Sequence, residues 1–313
     1  MTERKNRFVS VVIPLYNEVE SLTELYTRLT GVLEAHMERH ELIFVDDGST
    51  DGSLGTLREL RSRDRRVKLI SFKRNNGKSA ALQEGFKAAR GDFVVTIDAD
   101  LQDDPSEIPG LLDKLDDGFD LVSGWKKKRR DPLSKTLPSK VFNFVTSIAS
   151  GIKLHDFNCG LKAYRSEVVK TISVYGELHR FIPVLAAWEG FRVTEKDVTH
   201  YERQFGRSKY GASRLLNGLF DLITVMFITR RATSPLHFFG RIAFLFFVVG
   251  GAISLYFLII WLFGRGLHVR PLMVGGLVMV VIAIQIGSFG LLAELYSSGQ
   301  ERTFSTREYE VDD

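Results

Sequence analysis

Asp98 and Asp100 stand one residue apart, and Gln102 follows two further on, in the run Thr96-Ile-Asp-Ala-Asp-Leu-Gln102. At the end of a strand, two carboxylates on alternate residues can turn towards one divalent ion, and the Gln102 amide adds a neutral oxygen. Oxygen donors suit Mg²⁺ or Mn²⁺, and a site with so few protein ligands leaves positions for diphosphate oxygens. An ion held there would neutralise charge developing on a departing nucleoside diphosphate.

Two further polar clusters have the same character. Pro14-Leu-Tyr16-Asn17-Glu18 follows one apolar run, and Asp46-Asp47-Gly48-Ser49-Thr50-Asp51-Gly52 follows the next. Taken singly, each is an ordinary turn composition, because Asp, Asn and Gly are common where strands end. Three such clusters meeting on one sheet edge would make a site. Gly77-Lys78-Ser79 lacks the glycine four residues earlier that a phosphate-binding P-loop requires, which disfavours nucleotide hydrolysis of that type. The single cysteine, Cys159, excludes an intrachain disulfide and a cysteine-rich zinc site.

The elements that must position these clusters alternate regularly. Strands are predicted at Phe8–Ile13, Glu41–Val45, Val67–Phe72 and Phe93–Ile97, with helices at about Val19–Glu38, Ser53–Arg63 and Lys78–Arg90. In the first helix Leu22, Leu25, Tyr26, Leu29 and Leu33 share a face. Such alternation predicts an α/β fold with a mostly parallel sheet covered on both faces, whose ligands bind beyond the carboxyl ends of the strands. All three clusters fall at such ends.

Beyond Trp125 the texture changes. Lys126-Lys127-Lys128-Arg129-Arg130 is a basic block within a net charge of +4, and it points to phosphate-bearing partners or to a solvated loop. Arg214–Arg231 is amphipathic, with Leu215, Leu216, Leu219, Leu222, Ile223 and Met226 on one face, and reads either as an interfacial helix or as one packed on the catalytic domain. Ile242–Phe263 and Leu272–Leu292 carry no charge and are long enough to cross a bilayer, which takes about 20 apolar residues. The short connector Gly264–Pro271 makes them a hairpin. Arg230, Arg231 and Arg241 before it and Arg302 and Arg307 after it outnumber Arg265 and Arg270 in the connector, favouring a cytoplasmic start. The apolar stretch after the charged Met1–Arg7 is too short for a signal peptide, which agrees. Gly250 with Ser254, and Ala283 with Gly287, are small-residue pairs that let membrane helices approach closely.

The order VVIPLYNE, VDDGSTDG, NNGKSAA, TIDADLQDDP resembles the inverting glycosyltransferases of the GT-A fold, family 2, over about residues 8 to 210. More closely it resembles the polyprenyl-phosphate glycosyltransferases that act on dolichol or undecaprenyl phosphate. The resemblance implies a Rossmann-like GT-A domain over 1–211, an amphipathic juxtamembrane segment over 212–234, two transmembrane helices within 235–296 and a cytoplasmic tail over 297–313.

It also implies roles for individual residues. Pro14, Tyr16 and Glu18, with Asp46 and Asp47, would bracket the nucleobase and ribose. Lys78 belongs to the same nucleotide site. Asp98, Asp100 and Gln102 match the metal ligands. Lys135 and Ser139 match the acceptor-phosphate loop, and Arg207-Ser-Lys209-Tyr210 the loop that closes over the diphosphate. Trp125 stands where mannosyl members tend to carry an arginine. Asp156 opens the DFNCGLK element and is the candidate to orient the acceptor or take its proton.

The expected reaction is single-sugar transfer to a polyprenyl phosphate at the cytoplasmic face of a bacterial inner membrane. UDP-glucose is the expected donor, because the tail and the NCGLKAY element look closest to glucosyl members; mannosyl or aminoarabinosyl transfer is the alternative. The partners are then the nucleotide sugar, the lipid phosphate and the bilayer, with a homo-oligomer left open and nucleic acid not expected. Ser208 in place of tryptophan after Gln204-Phe-Gly-Arg207 argues against a processive polysaccharide synthase. The intact DAD and RSKY elements argue against a catalytically inert flippase-associated adaptor.

Overall fold

The computed structural model describes residues 7–127, 143–148, 150–201, 235–264 and 270–298. Lys135, Ser139, Arg207, Lys209, the amphipathic segment and all but the first two residues of the 297–313 tail lie outside them. The chain divides into two compact units, Met1–Val225 and Met226–Asp313.

The first unit is built on a seven-stranded sheet. Its strands are β1 (Phe8–Leu15), β2 (Arg39–Asp46), β3 (Val67–Ser71), β4 (Phe93–Thr96), β5 (Leu121–Trp125), β6 (Lys162–Arg165) and β7 (Val193–Asp197). They lie in the order β3-β2-β1-β4-β6-β5-β7, and all neighbours are parallel except β6, which runs antiparallel to both β4 and β5. β1, β4 and Leu42–Val45 of β2 are almost wholly apolar with no polar alternation, as strands covered on both faces should be.

Helices α1 (Val19–His36), α2 (Ser53–Arg63), α3 (Lys78–Ala88) and α4 (Ile108–Asp116) follow β1, β2, β3 and β4 in turn. α1 buries Leu22, Leu25, Leu29 and Leu33 at helical spacing, while Tyr26 sits at the margin and donates its hydroxyl to Asp64 at 2.9 Å. Two shorter helices follow: α5 (Ser166–Thr171) packs on β6 and β4, and α6 (Ile182–Trp188) on β5 and β7. The principal core runs from Val9, Val11 and Ile13 through Phe44 and Leu57 to Leu111, Leu115 and Leu161.

The second unit consists of α7 (Pro235–Leu262) and α8 (Pro271–Ser298). By length and composition both can cross a membrane, over Leu236–Leu262 and Pro271–Leu295. Each is longer than its uncharged core because Arg241 and Glu294 lie within the helices. Glu294 accepts the backbone N–H of Leu236 at 3.1 Å, so a carboxylate from one helix caps the start of the other. The helices meet where Gly250 faces Gly276: a Cβ on Gly250 would stand 2.7 Å from the Gly276 carbonyl oxygen. Ser254, paired with Gly250 in the sequence, instead spends its hydroxyl on the Gly250 carbonyl of its own helix at 2.8 Å. Ala283 is buried, and Gly287 faces Ala243 in ordinary contact.

Candidate active site

The strand order places the three polar clusters together. β1 lies between β2 and β4, with Leu15 level with Asp46 and Val12 level with Thr96, so the loops after β2, β1 and β4 leave one edge side by side. β1 and β4 are also where the strand sequence reverses direction, which is where open α/β sheets bind ligands.

The first two loops are stitched to each other. Asn17, in the left-handed region at φ 55°, accepts the Thr50 N–H at 2.7 Å and donates its own N–H to the Ser49 hydroxyl at 2.9 Å. Asparagine tolerates that conformation better than most residues. Pro14 and Tyr16 flank this junction, and Glu18 precedes α1, with its N–H given to Ser53 at 3.1 Å.

Asp46 and Asp47 are buried, and their carboxylates organise backbone. Asp46 accepts from Ser49 N at 2.9 Å and from the Ser71 hydroxyl at 2.8 Å. Asp47 accepts from Asn76 N at 2.7 Å and Gly77 N at 2.9 Å, which fixes the loop leading into α3. Burial raises the Asp47 pKa despite these two amides. Gly48 permits the turn: its φ is +73°, and a Cβ there would lie 2.5 Å from the Arg74 carbonyl carbon.

Lys78, the first residue of α3, reaches Asp98 with Nζ 2.5 Å from Oδ1. A carboxylate and an ammonium thus share the end of β4. Leu101 adopts φ 59°, a strained conformation for a leucine, held by a side chain packed in the core. The turn returns the Gln102 N–H to Asp100 Oδ1 at 3.2 Å. Among the described residues no three His, Cys, Asp or Glu side chains converge as a ready-made metal cage. Asp98, Asp100 and Gln102 are half-buried, and two carboxylates with an amide are the donor type that a hard divalent ion takes, its remaining ligands coming from substrate oxygens and water.

Residues that sequence reasoning left aside secure this loop. Asp103, fully buried, faces Lys126 Nζ at 2.8 Å and His200 Nδ1 at 3.8 Å. Burial by itself would raise the Asp103 pKa, but the Lys126 charge and His200 outweigh it and hold the carboxyl well below the usual range. Lys126 is correspondingly raised, although burial opposes it. The first lysine of the basic block is therefore an internal counter-charge, not a phosphate ligand. Lys127 pairs with Asp197 at 3.3 Å and lies over the Trp125 ring at 5.1 Å. Trp125 also stacks on His155, with ring centroids 4.0 Å apart.

On the opposite side the DFNCGLK element passes behind Asp98. Thr96 donates its hydroxyl to the Gly160 carbonyl at 2.8 Å. Asp156 is buried and accepts the Asn158 N–H at 3.0 Å, closing a tight turn. Lys162 is buried below it and donates to the Cys159 carbonyl; burial, then the Lys78 charge, lowers its pKa. Cys159 is itself pushed up to about 12 by burial, so its thiol stays protonated. After β7 the chain returns to the Asp98–Gln102 loop: His200 bridges to Asp103, and Tyr201 donates its N–H to the Gln102 carbonyl at 2.9 Å. Arg207 and Lys209 follow a few residues later in the sequence.

A parallel sheet with an antiparallel β6, loops meeting at the β1/β4 reversal and a DAD turn define a GT-A glycosyltransferase. Residues 10–173 match the profile of glycosyl transferase family 2, and the chain belongs to that family. It is similar, at 36% identity over 97% of its own length and 91% of the other, to a dodecaprenyl-phosphate galacturonate synthase from Rhizobium johnstonii. It is also similar to an undecaprenyl-phosphate 4-deoxy-4-formamido-L-arabinose transferase from Shewanella sediminis, at 38% identity over 82% of this chain and 74% of that one. Among solved structures, glucosyl-3-phosphoglycerate synthase from Mycobacterium tuberculosis with Mn²⁺ and UDP-glucose shares the fold. Its TM-score is 0.54 at 21% identity, covering 70% of this chain and 79% of that one.

Proposed function

We propose that this glycosyltransferase moves one sugar from a nucleoside diphosphate donor to a polyprenyl phosphate, working from the cytoplasmic side of a bacterial inner membrane. The observation that carries the reading is the Asp98–Asp100–Gln102 oxygen set at the β4 edge, in a chain 36% identical along 97% of its length to a dodecaprenyl-phosphate sugar synthase. The two long apolar helices agree with a lipid acceptor and a bilayer.

The donor's nucleoside lies against the stitched loops of Pro14, Tyr16, Glu18, Asp46 and Asp47. Its diphosphate meets Lys78 at the start of α3, with Arg207 and Lys209 closing over it. A Mg²⁺ or Mn²⁺ ion held by Asp98, Asp100 and Gln102 supplies charge neutralisation at that diphosphate. Lys135 and Ser139 hold the acceptor phosphate, one oxygen of which attacks the anomeric carbon from the face opposite the departing diphosphate. The C–O bond to the diphosphate breaks as the new one forms, and configuration inverts. A phosphate monoester has a second pKa near 6, by analogy with phosphorylated side chains, so at neutral pH it needs little help from a base. Asp156 then orients the acceptor or a sugar hydroxyl.

For the sugar, the NCGLKAY element favours glucose from UDP-glucose. A second reading rests on the relatives, whose names give galacturonate and 4-deoxy-4-formamido-L-arabinose. Purified protein in detergent with Mn²⁺, undecaprenyl phosphate and separate UDP-glucose, UDP-galacturonate and UDP-4-deoxy-4-formamido-L-arabinose tests both. One donor should yield a lipid heavier by a single sugar. A ladder of sugars would mark a polymerising synthase, and no product from any donor would remove the reading.

A further inference from the structure

Lys162 takes no part in the reaction described above, yet it lies where a charge is costly. Only 4% of its surface is exposed. An ammonium taken out of water is unfavourable unless it is paired and hydrogen-bonded. Among the described residues no carboxylate forms an ion pair with it, and its hydrogen bond goes to the Cys159 carbonyl. It differs in this from Lys126, whose charge is answered by Asp103. A side chain of similar length without the charge would fill the same space more cheaply.

The strand register explains what the ammonium reaches. β6 runs antiparallel between β4 and β5, with Lys162 level with Thr96 on one side and with Ser123 on the other. Its side chain turns back along the chain to the carbonyl of Cys159, which belongs to the peptide leading into Gly160. Thr96 donates its hydroxyl to the carbonyl of Gly160 itself at 2.8 Å. The peptides on both sides of Gly160 are therefore tied, one by an ammonium and one by a hydroxyl. A charge-assisted bond is roughly twice as strong as a neutral one, so the ammonium is the firmer tie. Gly160 in turn lies directly against the carboxylate of Asp98, two residues beyond Thr96.

The geometry points to Lys162 as a positioning residue for Asp98: by holding the Cys159 carbonyl it keeps Gly160 against that carboxylate and fixes how Asp98 meets the donor's diphosphate and its ion. The inference rests on the role proposed for Asp98 and adds to it the residue that sets its place.

The test compares full-length wild type in detergent with Lys162→Met, Lys162→Arg and Thr96→Val. In Lys162→Met the melting temperature should hold or rise, because a poorly compensated buried charge is gone. Its kcat at saturating donor and acceptor should nevertheless fall by about a hundredfold, the loss that about 1 Å of misplacement can cause. Lys162→Arg keeps the charge and a donor and should recover part of that loss. Thr96→Val removes the weaker tie and should lose less, and it carries the test if Lys162→Met does not fold. Mn²⁺ bound together with UDP should give an altered electron paramagnetic resonance spectrum in both Lys162→Met and Thr96→Val. Wild-type kcat in Lys162→Met, or in Thr96→Val where the first does not fold, would overturn the proposal. So would a kcat loss that comes with a lower melting temperature and an unaltered spectrum, which would make Lys162 structural support alone. A structure of the variant with Gly160 and Asp98 unmoved would also overturn it, whatever the donor or acceptor. Failure of the wild type to transfer any sugar would instead count against the enzymatic reading, so the two fail separately.

Discussion

Gly160 presses against the carboxylate of Asp98: a Cβ built on it would stand 2.5 Å from both Cγ and Oδ2. Asp98 is thereby held between the DFNCGLK backbone and the Lys78 ammonium, and the space is closed to any side chain. Gly160→Ala should displace Asp98 and lower turnover by about a hundredfold, the loss that a misplacement of about 1 Å can cause. Gly31→Ala, where nothing lies within 4 Å, should leave turnover unchanged. Equal activity in the two variants, measured as kcat with saturating donor, would deny Asp98 its role.

Asp100→Ala removes a charged oxygen from the proposed ion site while leaving the core untouched. Transfer should be abolished, and isothermal titration should show weakened Mn²⁺ binding in the presence of UDP. Full activity in the variant, or in wild type with a chelator, would overturn the metal assignment.

The buried Asp103–Lys126 pair should matter to stability more than any exposed pair. Lys126→Met leaves a carboxylate uncompensated and should cost about 3–5 kcal/mol. The pH dependence follows from the depressed Asp103 pKa. Its contribution is fully present above the unfolded value near 4 and is lost as pH falls through the folded value, so wild type should lose stability steeply below about pH 4. Melting curves between pH 2 and 7 should show that loss, and Lys126→Met should blunt it. Identical acid profiles would remove the pair from the stability account.

Asp156→Asn keeps the shape of the turn and its bond to Asn158. Turnover should fall while UDP affinity stays near normal, as expected of a residue proposed to orient the acceptor and not the nucleoside. A residue that positions gives the same deficit from pH 6 to 8.5, whereas a general base gives a deficit that shrinks as the phosphate, with a pKa near 6, loses its proton. Steady-state rates across that range decide between the two.

In the second unit, Gly276→Leu should separate α7 and α8, since even a Cβ there would lie 2.6 Å from Ile253 Cγ2. Gly275→Leu, with nothing within 4 Å, is the control. Crosslinking between cysteines placed at Ala243 and Gly287 should fall in the first variant and persist in the second.

The parallel half of the sheet was legible in the sequence because its strands are short apolar stretches rich in Val, Ile, Leu and Phe, and each of α1 to α3 has one apolar face. The predicted ends of α2 agree with Ser53–Arg63, and β1 and β2 run only one or two residues beyond their predicted limits. The polar clusters were legible as strand-end chemistry for the same reason: a strand's period and its breakers are local. The two apolar helices were legible from length and lack of charge alone.

Other features depended on partners distant in sequence. Lys126 looks like one charge of a solvated run until β5 brings it beside Asp103, and burial in a low-dielectric environment turns it into a structural counter-ion. Gly160 gives no local sign of its contact with Asp98, because that contact exists only once β6 runs antiparallel beside β4. Ser254 carries the sequence signature of a helix crossing, but its hydroxyl bonds within its own helix and Gly276 supplies the close approach. Sequence therefore determined the kinds of element and the chemistry at their ends; tertiary packing decided which charges are spent on structure and which remain for substrate.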